Sequence, residues 1–87
     1  MKSHEFVIHS EVSRDDLIAV FQKATHFTSD IQIYFDHHFI EHAVDAKSLV
    51  GVMLVPVDSG TKIRIEAKGD DEEEALSFII QLLEACK

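Results

Sequence analysis

Six histidines stand among the 87 residues, and three of them fall in one short stretch. His37, His38 and His42 lie in the segment DHHFIEH, with Asp36 and Glu41 beside them. Imidazoles and carboxylates together are the ligands of a metal site. The spacing argues against one. His38 and His42 are four apart, which suits a helix, whereas on a strand they stand roughly 13 Å apart. His37 and His38 are adjacent, so an extended chain points them to opposite faces. They read as solvated hairpin residues, and neither a metal nor a cofactor is expected. Cys86 is the one cysteine, so a disulfide within the chain is impossible. The acidic run Asp70 to Glu74 reads as the solvated start of a helix, not a catalytic carboxylate set. No glycine-rich phosphate loop exists. Ser13 could be a nucleophile only with a base beside it. Ser13 and Asp16, three later, instead resemble a capping box, with Asp in place of the usual Glu or Gln.

Composition narrows the partners. Lys and Arg number 8 against 16 Asp and Glu, a formal charge of −8. Phosphate contacts need clustered cations, so neither nucleic acid nor an anionic membrane is expected as a partner. No apolar run approaches the roughly 20 residues that span a bilayer, so no membrane insertion is expected. The start, MKSHEFVIHSE, breaks its apolar run with charges and does not read as a signal peptide. A lone cysteine suits a reducing, cytoplasmic location. The length allows one domain, residues 1–87, as a monomer or weak dimer.

The elements that must position these residues follow from periodicity. Residues 4–12 alternate, with Phe6, Ile8 and Val12 on one side, which predicts a half-buried strand. Leu17, Val20, Phe21 and Ala24 recur at helical spacing and place a helix at about 14–26. IQIYF, residues 31–35, reads as a strand, with a tight turn over Asp36, His37 and His38. FIEHAVD, 39–45, returns as a strand whose apolar face is ambiguous. Asp45 can cap a short helix from about 46 to 54. TKIRIEA, 61–67, alternates cleanly, with Ile63, Ile65 and Ala67 inward. After Gly69, Asp70 or Asp71 opens a last helix with Ala75, Leu76, Ile79, Leu82, Leu83 and Cys86 as its buried stripe. Four strands with helices at the crossings indicate an α+β fold, an antiparallel sheet covered on one face.

This order, with the string AKSLVGVM at 46–53, resembles HPr, the small phosphocarrier family of the bacterial sugar phosphotransferase system. KSLVGVM, the strand TKIRIEAKG and an acidic-capped last helix stand at the family's spacing, and FTSDI at 27–31 also fits. The resemblance implies an HPr-like open-faced β-sandwich, with three helices on one face and strand order first, fourth, second, third. The hairpin between Ile31 and Ala46 looks about four residues longer than in typical members.

The family signature before the first helix is Gly-Leu-His-[Ser/Thr/Ala]-Arg-Pro, and its histidine carries the phosphoryl group. Counting back from FTSDI puts Ser13 at the histidine position. Arg14 falls at the small residue, Asp15 at the arginine and Asp16 at the proline. A one-residue shift restores Arg14 to supporting a phosphate, but none places a histidine there. A serine ester is stable, whereas a relay needs a group that both accepts and releases phosphate near neutral pH, as imidazole does. The expectation is therefore a non-catalytic module resembling the regulatory Crh branch, and not an enzyme. His9, near this position, could substitute for the nucleophile in space.

The family's second site is present in sequence. Ser48 matches the serine that a dedicated HPr-type serine kinase phosphorylates. Lys47 adds a nearby cation, and Leu49, Val52 and Met53 match the face through which the family docks partners. Those partners, by resemblance, are the serine kinase, a transcriptional regulator or phosphotransferase components. Core packing is the simpler reading of Leu49 and Met53, and a helix-start residue that of Ser48. Two alternatives stay open: an unusual phosphocarrier using a non-standard residue, and a diverged fold-only interaction domain.

Overall fold

The computed structural model describes residues 1–7, 13–37, 39–55 and 60–84. In chain order its elements are β1 (Lys2–Val7), α1 (Arg14–Ala24), β2 (Asp30–His37), β3 (Ile40–Asp45), α2 (Leu49–Met53), β4 (Lys62–Lys68) and α3 (Glu72–Glu84). The four strands form one antiparallel sheet in the order β1-β4-β2-β3. This is the open-faced α+β sandwich, and the strand order, that the resemblance implies.

Register explains the core. Ile33 stands opposite Ile65, Ile31 opposite Ala67, and Phe35 opposite Ile63. All six are buried. Their alternate neighbours Gln32, Tyr34, Arg64 and Glu66 face the other way and stay partly exposed. Leu17, Val20 and Ala24 of α1 and Ala75, Ile79 and Leu83 of α3 close the covered side. Each fully buried Ile or Leu contributes roughly 1.5–3 kcal/mol. Phe21, expected deep in this interface, is only partly buried against it. The side chain of Phe6 and residues 8–12, which hold Ile8, His9 and Val12, lie outside the described residues, as do Pro56 and Cys86.

The hairpin differs from expectation. Asp36 and His37 belong to β2, pairing with Glu41 and Ile40, so the turn is tighter and later. Phe39 closes it with a φ of 64°. The ambiguous strand β3 is an edge, and only Val44 of it is half-buried.

The acidic run is more than a solvated helix start. Asp71 reaches back to residues 28 and 29, accepting the Thr28 and Ser29 amides at 2.9 Å each and the Ser29 hydroxyl. Ser29 is buried, so this carboxylate satisfies its amide and hydroxyl where water has little access. The Ser29 hydroxyl, then the Thr28 amide, lower the Asp71 pKa from 3.8 to about 2. Folding therefore favours the ionised form. Its contribution is complete above pH 3.8 and is lost as the pH falls through about 2. An Asp71→Asn variant should melt below the wild type at neutral pH. The gap between their melting temperatures should narrow as the pH drops across that window. A constant gap in a thermal denaturation series would contradict this role.

Candidate functional site

Ser13 lies outside helix α1 in extended conformation and caps it. Its hydroxyl accepts the Asp16 amide at 3.2 Å and donates to the Asp16 carboxylate at 3.0 Å. The Asp16 carboxylate also accepts the Ser13 amide at 2.8 Å. The capping box read from the sequence is thus complete, with Asp as its third member. Such a cap is worth about 1 kcal/mol. The hydroxyl is engaged twice, and Asp15 and Asp16 put two carboxylates in the same first turn.

Arg14 does not lie free beside Ser13. Its Nη1 donates to the Met53 carbonyl at 2.5 Å and to the Val55 carbonyl at 3.4 Å. The start of α1 is thereby joined to the end of α2. Sequence reading missed this contact, since no local signal links positions 39 and 41 residues apart.

Helix α2 is shorter than expected, and its cap is a different residue. Asp45 instead closes the preceding turn, its carboxylate accepting the Lys47 amide at 2.8 Å. Ser48 is the cap itself, extended, with its hydroxyl accepting the Gly51 amide at 3.2 Å. Ser48 therefore stands just outside the helix, not inside a first turn capped by Asp45. Lys47 is also committed elsewhere. Its ammonium donates to the Phe27 carbonyl at 2.7 Å, so it ties the helix start to the loop after α1. Gly51 brings α2 close to β3, since a Cβ there would sit 3.2 Å from the Val44 Cβ.

The proposed contact face needs one correction. Val52 is 0% exposed and belongs to the core, pointing away from any partner. Leu49 and Met53 are 44% and 37% exposed, and Val50 and Leu54 join them at 76% and 65%. These four apolar side chains form the accessible side of α2. Val50 and Leu54 were missed because a five-residue helix is too short for periodicity to say which side is buried.

The other candidates separate from this region. His42 stacks on Phe35 with ring centroids 5.4 Å apart. The side chain of His37 and all of His38 and His9 lie outside the described residues. On the open face of the sheet, Arg64 sits 4.3 Å from the centre of the Tyr34 ring. It also pairs with Glu66 at 3.1 Å and Glu41 at 3.4 Å. Lys62 pairs with Glu5 at 3.2 Å. These cations are neutralised in place. Among the described residues no cluster of His, Cys, Asp or Glu has the arrangement to hold a metal ion, and no helix is long and apolar enough to cross a membrane.

Comparison with known proteins gives a consistent result. A family model described as "PTS HPr component phosphorylation site" matches residues 18–85. It spans Ser48 and α2 and begins after Ser13 and Arg14. The HPr-like protein Crh of Bacillus subtilis is 42% identical over 55 residues, which cover 63% of this chain and 60% of that relative. The match therefore spans less than two thirds of that protein's length. The HPr-like protein Crh of Halalkalibacterium halodurans is 38% identical over 63 residues, covering 72% of this chain and 70% of the relative. The crystal structure of HPr-C-His from Thermoanaerobacter tengcongensis is 30% identical and overlays with a TM-score of 0.79, covering 99% of this chain and 94% of that one.

Proposed function

The chain belongs to the HPr family of the phosphotransferase system, and from that premise we propose that it is a non-catalytic regulatory module. It binds protein partners through the exposed side of α2 and is switched by phosphorylation of Ser48. The observation that carries this reading is the state of Ser13. Where the resemblance places an acceptor that must take up and release an anion stands a serine engaged in a capping box, with carboxylates two and three residues on. Neither its chemistry nor its electrostatics suits a relay. The absence of the relay histidine is part of the proposal, as is the cytoplasmic setting that the lone cysteine suggests.

Ser48 is better placed to receive phosphate. It caps α2, where unpaired backbone N–H groups and the helix dipole favour negative charge. Lys47 is one residue away, although its ammonium would have to leave the Phe27 carbonyl to reach the anion. The same short segment carries Leu49, Val50, Met53 and Leu54, so a new charge at Ser48 borders the apolar contact side. A dianion there changes which partners that side accepts.

The test uses an HPr-type serine kinase with ATP, followed by mass mapping. The expected product carries one phosphate on Ser48 and none on Ser13. Ser48→Ala should stay folded and lose the modification. A wild-type chain left unmodified, or labelling that survives Ser48→Ala, would remove the switch from this reading.

A further inference from the structure

Helix α2 has five residues, too few to hold its own conformation in water. Three contacts fix it: the Ser48 cap, the burial of Val52 and Val55, and the Arg14 guanidinium on the carbonyls of Met53, its last residue, and of Val55, two residues beyond. The first two anchor the start and the inner side. Only Arg14 reaches the open end from another helix among the contacts described for that turn. The Met53 carbonyl is one that a helix C-terminus leaves without an intrahelical partner, where the dipole favours a cation. Met53, whose carbonyl it holds, and Leu54, the next residue, make up half of the exposed apolar side.

We propose that Arg14 is a positioning residue for the contact side of α2, a latch from the start of α1 that sets where Met53 and Leu54 stand. The latch itself is a statement about conformation; its consequence for partners rests on the docking role proposed for α2. In this role Arg14 acts through backbone carbonyls and need not touch a partner. That use differs from the phosphate support which the resemblance implies for it.

Amide hydrogen exchange of the full chain tests the latch without any partner. The Leu54 and Val55 amides bond to the Gly51 and Val52 carbonyls at 3.0 and 3.1 Å, and report the last turn. In Arg14→Ala these two should exchange about fivefold faster, the effect of losing roughly one hydrogen bond. The Ile33 and Ile65 amides in the sheet should be unchanged. Arg14→Lys, which keeps a donor and the charge, should recover part of the protection. With the serine kinase, Arg14→Ala should raise KM for the protein and leave kcat unaltered. Unchanged exchange at Leu54 and Val55, or equal acceleration throughout the sheet, overturns the latch. Faster exchange in α2, with a wild-type chain that the kinase ignores, upholds the latch and removes the docking reading instead.

Discussion

Replacing Gly69 with alanine is expected to destabilise the fold by about 2–6 kcal/mol, and two independent causes add. Gly69 has a φ of 151°, a conformation that side-chain-bearing residues rarely adopt. An added Cβ would also lie 2.6 Å from the Ser29 Oγ and 2.7 Å from its Cα. The obstacle is backbone, so it does not rotate away. Ser29 is meanwhile held by Asp71, and moving it breaks the clasp that joins the start of α3 to residues 28 and 29. A loss of this size lowers the melting temperature by on the order of 10 °C or more in a domain this small. Thermal denaturation of Gly69→Ala measures it directly. A shift of only a degree or two would mean that the clasp yields easily, contrary to the tight approach seen here.

The second large effect separates two valines in one short helix. Val52→Asp should abolish cooperative folding, because it places a carboxylate at a position with no exposure, within the apolar core. Burying an unpaired charge costs several kcal/mol, a large part of the stability of a small domain. Val50→Asp, two residues earlier and 76% exposed, should leave the stability within about 0.5 kcal/mol of the wild type. It should nevertheless weaken modification by the serine kinase, by setting a charge in the apolar contact side. Circular dichroism melts and kinase assays on the pair distinguish packing from contact. Equal stability of the two variants would refute the buried placement of Val52.

What the sequence revealed followed the range of its signals. Strand β4 was readable because Ile63, Ile65 and Ala67 alternate with charged residues, and one alternation decides both element and face. The capping box at Ser13 was readable because all its parts lie within four residues. Helix α2 was only half readable. Asp45 and Ser48 are both residues that cap, and only the backbone shows that the first serves the turn and the second the helix. Five residues make less than two turns, so Val52 and Val50 could not be assigned to sides. The contacts of Arg14 with Met53 and of Asp71 with Ser29 join residues about forty apart. No local pattern encodes such pairs, and the first of them joins α1 to the candidate site.

A regulatory module and a phosphocarrier differ in whether the chain relays phosphoryl groups. The most direct measurement is incubation with phosphoenolpyruvate bearing labelled phosphate and the first enzyme of the phosphotransferase system, with an authentic HPr as positive control. The adduct is then tested for acid lability. The expected result is labelled control protein and no acid-labile phosphoryl group on this chain, with label entering only through ATP and the serine kinase at Ser48. An acid-labile adduct on any histidine, His9 and His42 included, would show a phosphocarrier and contradict the regulatory reading.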